Sequence, residues 1–282
     1  MRLAISNIAW NIEEDPEIVR LLQKHQIDAI DIAPTKYFPN PKTPNTRDIK
    51  HIKNWWEDHG VEITGMQSLL FGKPNLNIFA GKKDQNKILE YLQGIFRIGE
   101  ILGAKRLVFG SPKNRDRSLL TDSQAFDSAV FFFRKLGNLA QENGLVVNLE
   151  PNPIQYGSNF MITTEETANV VNAVNHGSIK MQFDTGSIAI SNESADNILK
   201  RYSDLIGHIH ISEPNLIPLG DGATDHAVFA KALKRFLPNH FLVIEMIATK
   251  TEAHINSIER AIIHANRNYL DISDTTLQAN DG

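Results

Sequence analysis

One pattern constrains this chain more than any other: short apolar runs rich in β-branched residues alternate with longer amphipathic stretches, eight times over. Strands are expected at residues 3–6, 29–32, 61–66, 106–109, 145–149, 179–183, 206–211 and 241–246, where each run has the length and apolar content of a buried parallel strand. Helices are expected at about 15–25, 46–59, 84–102, 122–142, 164–175, 195–202, 225–236 and 251–270. Several helix ends carry capping chemistry. His59-Gly60 and Glu142-Asn143-Gly144 place a glycine where a helix closes in the left-handed conformation. Thr163-Thr164-Glu165-Glu166 and Asp225 offer oxygens and first-turn acids to unpaired amides at helix starts. Over 282 residues the units average about 35 residues each, and the total suits a (β/α)8 barrel, typically about 250 residues long. A doubly wound sheet would open on a glycine-rich turn after its first strand, and here that turn reads Asn7-Ile8-Ala9-Trp10. The expectation is α/β: a single-domain (β/α)8 TIM barrel over residues 1–271, followed by a polar tail at 272–282.

Composition narrows the chemistry. With no cysteine, disulfides, thiolate nucleophiles and thiolate-bound zinc or iron–sulfur clusters are excluded, so any metal must be held by oxygen and nitrogen. The 29 Lys and Arg against 33 Asp and Glu give a net charge of −4, which weighs against a surface built for nucleic acid. After Met1-Arg2 no apolar stretch of signal-peptide length follows, and no later run approaches the roughly 18 residues that span a bilayer. A soluble, cytoplasmic protein without membrane or nucleic-acid partners is expected; homo-oligomerisation is left open.

In a barrel, polar residues at the C-terminal ends of strands converge on one site. Four stand at matching places: Glu150 after strand five, Asp184 after strand six, His210 near the end of strand seven and Glu245 in strand eight. Alone, each has an ordinary reading, as a loop acid, a helix cap or a hydrogen-bonded core histidine. In register on four successive strands they read as a unit. Three carboxylates gathered in a barrel mouth must be neutralised by protons or a cation. With one imidazole and no thiolate, the set favours one divalent ion, Mn2+ or Mg2+, with Co2+ and Zn2+ tolerated.

The segments Leu149-Glu150-Pro151-Asn152-Pro153, Phe183-Asp184-Thr185-Gly186, Gly207-His208-Ile209-His210-Ile211-Ser212-Glu213 and Val243-Ile244-Glu245-Met246 resemble the motifs of the xylose-isomerase-like barrel superfamily. Within it the chain is most similar to sugar epimerases and isomerases of the ketose 3-epimerase type. The resemblance covers essentially the whole chain in strand order, with spacings of 34, 26 and 35 residues between the four. It implies that Glu150, Asp184, His210 and Glu245 hold a metal that chelates a carbonyl and adjacent hydroxyl of a sugar or sugar phosphate. It further implies that Glu150 and Glu245 act as the catalytic acid and base pair around an enediolate. Where ketose 3-epimerases of this type carry a substrate-contacting Glu, His and Arg, this chain has Tyr156, Ser187 and Leu216. Free fructose-like or tagatose-like ketoses are therefore poor candidates. Two other reactions belong to the same superfamily: an inosose-type dehydratase, which would use the same residues, and an apurinic-site endonuclease, whose further metal-binding histidine falls at Ser187. A non-catalytic carbohydrate sensor is a third alternative, against which the paired glutamates stand.

Substrate contacts are expected from loops that follow strands. Two are unusual, residues 33–44 with four prolines around Tyr37 and Phe38, and residues 72–81, and either a lid or a plain crossover accounts for them. Lys113, Arg115 and Arg117 form a basic loop after strand four whose charge suits a phosphate, or equally a solvated surface. His208 shares a strand face with His210 and reads as a core residue or a hydrogen-bond partner of substrate; Glu213 reads as orienting His210 or a sugar hydroxyl. Trp10, Tyr37, Phe38 and Tyr156 offer an apolar wall for a sugar ring, or core.

Overall fold

The eight apolar runs close on themselves. In a computed structural model describing residues 1–270, a parallel barrel forms in sequence order from β1 (Arg2–Ser6), β2 (Ala29–Ile32), β3 (Glu62–Met66), β4 (Arg106–Phe109), β5 (Val146–Leu149), β6 (Ile179–Asp184), β7 (Ile206–Ser212) and β8 (Phe241–Glu245), which pairs back onto β1. The expected tail at 272–282, and the domain's expected last residue at 271, lie outside the described residues. Around the barrel run α1 (Asp15–Lys24), α2 (Pro34–Tyr37), α3 (Thr46–Asp58), α4 (Lys82–Leu102), α5 (Asp122–Glu142), α6 (Thr164–Val174), α7 (Thr185–Ile190), α8 (Ala195–Tyr202), α9 (His226–Phe236) and α10 (His254–Ala265). No helix among the described residues is long and apolar enough to cross a membrane.

Capping works as the sequence indicates. The hydroxyl of Thr163 accepts from the Glu166 amide, Asp225 accepts from the Val228 amide, and Gly60 and Gly144 take φ of 78° and 66° past α3 and α5. Two short helices were not foreseen. Pro34 presets φ for the first turn of α2, and the Asp184 side chain caps α7 at the Ser187 amide. The expected last helix starts later, at His254, and passes into a π-helical turn over Asn266–Leu270.

The apolar core fills the ring between sheet and helices, where Phe109 of β4 meets Phe132 and Phe133 of α5 with ring centroids 6.4 and 5.5 Å apart. Inside the barrel the character changes along the axis. Near its N-terminal end, Ala4, Ala29 and Val243 pack together with Phe241, whose ring carries the Arg2 and Arg106 guanidiniums, each 4.8 Å from its centroid. Towards the other end the inward positions turn polar: Asn148, Gln182, Asp184, His208 and His210 are all buried. That gradient turns the C-terminal mouth into a site and the opposite end into a plug.

Phe133→Ala removes a fully buried ring from the aromatic cluster without touching the mouth. It is expected to lower unfolding free energy by about 3–5 kcal/mol, read from urea denaturation.

Candidate metal centre

Strand alternation and register assemble the mouth. On β7, His208, His210 and Ser212 face inward together; Asp184 pairs in register with His210, and Glu245 with Ser212. Glu150 follows β5, and its amide donates to the Phe109 carbonyl. One donor atom from each of Glu150, Asp184, His210 and Glu245 lies within 4.8 Å of the other three, about the spread that donors sharing one small ion occupy.

Each carboxylate is fixed by the chain. Asn152 donates to Glu150 Oε2 at 2.9 Å, and Gln67 donates to Glu245 Oε1 at 2.5 Å. Asp184 accepts from the Ser187 amide at 2.6 Å and the Ser212 hydroxyl at 2.9 Å. The remaining Glu245 oxygen stands 3.0 Å from His210 Nδ1, and Glu150 Oε1 stands 3.9 Å from it. Yet neither nitrogen of the buried His210 makes a well-aligned hydrogen bond. Gly110 makes room for this arrangement, since a Cβ there would lie 1.9 Å from Glu150 Oε2.

Electrostatics record the crowding. Burial first, then the negative charges of Glu245 and Asp184, push the Glu150 carboxyl up to about 7. Burial and Glu245 push Asp184 up to about 6. Burial alone would lower His210, but Glu245, Glu150 and Asp184 outweigh it and raise the imidazole to about 9. Glu245 goes the other way: burial opposes its charge, while His210 and Gln67 hold it below the ordinary carboxylate range. Buried oxygens that repel one another around a histidine lacking a good partner fit a divalent cation, hard enough for the carboxylates and able to accept one imidazole.

The other expected contacts divide. Tyr156 lines a cavity of about 310 Å3 together with Glu150, Asp184, Ser187, Leu216 and Glu245. Trp10 does not reach it: its ring is fully buried and its indole N–H donates to Asp15 at 2.7 Å, because the turn after β1 folds into the core. Tyr37 donates to the same carboxylate at 2.7 Å, and Phe38 is likewise core. Glu213 faces away from His210 and accepts from the Gly220 and Thr224 amides and from His226. These bonds overcome the effect of burial and hold its carboxyl down to about 2, so Glu213 organises its own loop and does not touch the cavity. His208 is buried below His210, with Nε2 at 2.7 Å from Asp31 Oδ2, and does not line the cavity that holds Tyr156.

The basic loop also departs from expectation. Lys113 is exposed, and Arg117 donates to the Asn159 carbonyl and pairs with Asp122. Arg115 is fully buried and donates to the Glu150 carbonyl oxygen at 2.7 Å. A 3-10 turn over Pro112–Arg115 folds the loop inward and removes Arg115 from solvent.

Sequence reading missed Gln67 and Asp31. Gln67 directly follows β3, so the rule that identified the four ligand candidates also points to it. Asp31 is a lone acid within an apolar strand. It accepts from Thr64 at 2.9 Å, lies over Gly65, where a Cβ would approach it to 2.5 Å, and joins His208 and His210 in a second buried group with donor atoms within 4.8 Å.

A family profile described as xylose isomerase-like TIM barrel matches residues 19–267, and the chain belongs to that family. An inosose dehydratase of Lacticaseibacillus casei is 23% identical over 254 residues, spanning 83% of this chain and 78% of that protein. Among solved structures, D-psicose 3-epimerase in the presence of D-fructose superposes with a TM-score of 0.78 at 16% identity, over 95% of this chain and 99% of that one. The IolI protein with a bound zinc atom superposes with a TM-score of 0.75 at 19% identity, over 97% of this chain and all of that one. At such identities the structural likeness speaks for the fold.

Two outcomes follow from the geometry. Glu150 rises from its ordinary 4.5 to about 7, Asp184 from 3.8 to about 6 and His210 from 6.5 to about 9, so each stabilises the ion-free fold at low pH and loses that contribution as pH climbs through its folded value. A bound dication replaces those protons. Saturating Mn2+ is therefore expected to raise Tm more at pH 8 than at pH 5.5 in scanning calorimetry, and an equal rise at both would contradict the assignment. Asp31→Ala is expected to weaken Mn2+ binding about ten- to a hundredfold by freeing the histidine pair, measured by calorimetric titration.

Proposed function

We propose that this barrel is a divalent-metal-dependent sugar epimerase or isomerase that moves a proton on the carbon next to a carbonyl. The observation that carries the reading is the pair Glu150 and Glu245 on one cavity, one pushed up to about 7 and the other held anionic, together with Asp184 and His210. Glu150, Asp184, His210 and Glu245 would hold the ion. Once bound, it would polarise a substrate carbonyl and stabilise negative charge on that oxygen. The donor chemistry supports Mn2+ or Mg2+ as the ion, with Co2+ or Zn2+ tolerated.

The chain's own residues supply the proton traffic. Glu245, tied by Gln67 and His210, and Glu150, steadied by Asn152, face the substrate as a pair, one taking the proton and the other returning one to the opposite face. Which glutamate acts first depends on the configuration of the substrate. Tyr156 closes one wall, its hydroxyl accepting from the Asn215 amide at 2.9 Å. Ser187, its amide donating to Asp184, offers no imidazole for a multi-metal phosphodiester site.

Similarity to an inosose dehydratase over 83% of the chain supports a second reading, in which the same proton abstraction is followed by loss of a neighbouring hydroxyl as water. The two part at the product. Incubating the Mn2+-loaded protein with keto sugars and with inosose in D2O is expected to place deuterium next to the carbonyl, with every oxygen retained. Growth of an enone absorbance with inosose alone would assign the dehydratase. Glu150→Gln and Glu245→Gln are each expected to cut exchange by about a thousandfold; exchange that survives both, with metal content intact, would falsify the paired-glutamate mechanism.

A further inference from the structure

We propose that a second cavity beside the metal centre receives an apolar group of the substrate, so that the natural substrate is a keto sugar bearing an aromatic or alkyl substituent beyond its reacting carbons. This rests on the proton-transfer reading above and names the class of molecule it serves.

The cavity measures about 650 Å3, within the roughly 300–1,000 Å3 of small-ligand sites. It shares part of its wall with the reacting centre. Gln67, Ser68, Phe71 and Glu245 line both this cavity and a smaller one of about 220 Å3 that also contains Glu150. A sugar seated against Glu150 and Glu245 therefore has one end directed into the larger space.

Its lining is apolar where a sugar would ask for hydrogen bonds. Phe71, Leu216 and Ile247 stand on its wall, and Phe71 is 73% exposed and Ile247 49% exposed. Large apolar side chains left in water carry a cost that a ligand can remove. Their placement is not scattered: of the seven exposed large apolar residues among those described, Phe71, Leu119, Ile154, Ile217 and Ile247 lie in segments that follow strands, on the face of the metal centre. Leu216 is held in place deliberately. It takes φ of 55°, a left-handed conformation that leucine seldom adopts, and its carbonyl accepts from the Ile247 amide at 2.9 Å, joining the β7 and β8 loops. Its side chain then lines this cavity and the one holding Tyr156.

An anionic substituent fits less well. Of the two lysines on the wall, Lys36 donates to the Asn7 and Trp10 carbonyls, and Lys73 lies 5.6 Å from the Tyr91 ring centroid. The basic loop after β4 turns its one buried guanidinium onto the Glu150 carbonyl.

The test uses the Mn2+-loaded full chain and three matched ketoses: 6-O-benzyl-D-fructose, 6-O-methyl-D-fructose and D-fructose 6-phosphate. By calorimetric titration the benzyl ether is expected to bind at least about tenfold more tightly than the other two. In a Phe71→Ser, Ile247→Ser double variant the benzyl-to-methyl ratio is expected to fall below about threefold. Equal affinities in the parent, no binding of any probe, a preference for the phosphate, or a ratio untouched by the double variant each overturns the proposal. So does a parent dimer in sedimentation that the double variant splits, which assigns the face to a second copy of the chain. Deuterium exchange is read separately: benzyl-selective binding without exchange in any probe removes the proton-transfer reading and leaves the apolar cavity standing.

Discussion

Three carboxylates share a buried mouth with one imidazole, and most of the local structure answers to that crowding. A buried carboxylate without compensation drives its own protonation. The chain therefore surrounds the group with directed donors: Asn152 on Glu150, Gln67 on Glu245, Ser187 and Ser212 on Asp184. Gly110 supplies the missing volume, and α7 begins where it does because Asp184 caps it.

The barrel makes the crowding possible. Parallel pairing in sequence order brings the ends of β5 through β8 side by side, so residues separated by 34, 26 and 35 positions meet within 4.8 Å. The inward positions below the mouth continue the polar character through His208 and Asp31, and only the far end is closed by small apolar residues and Phe241. His210 thus stands between two acidic neighbourhoods, Glu245 at 3.0 Å on one side and the Asp31–His208 pair on the other.

Much of this was legible in the sequence, because strand period and strand-end position are local properties. The eight strands, the family and the meeting of Glu150, Asp184, His210 and Glu245 all follow from runs of a few residues and their order. What the sequence concealed depends on the path of loops. Trp10 and Tyr37 have the composition of a sugar-binding wall, but both turn onto Asp15, since that buried acid needs donors. Glu213 sits in a recognisable motif, yet its oxygens satisfy the backbone of its own loop. Arg115 reads as a surface charge until the 3-10 turn carries it inside. Loop side chains go where unpaired polar groups need them, and those groups are known only once the loop has a path.

The burial of Arg115 adds a positive charge beside the mouth. Burial pulls its guanidinium down to about 10 against the opposing field of Glu150, so it remains positive at neutral pH. Three ionised carboxylates and this guanidinium sum to −2, which a dication cancels while His210 is neutral, the state in which imidazole can ligate. Without the ion, a proton on Glu150 and another on His210, whose values lie at about 7 and about 9, cancel the same charge. A bound dication thus takes the place of protons on Glu150 and His210. A basic residue expected to greet an anionic substrate instead lies buried against the backbone of a ligand candidate, where its positive charge offsets part of the carboxylate charge.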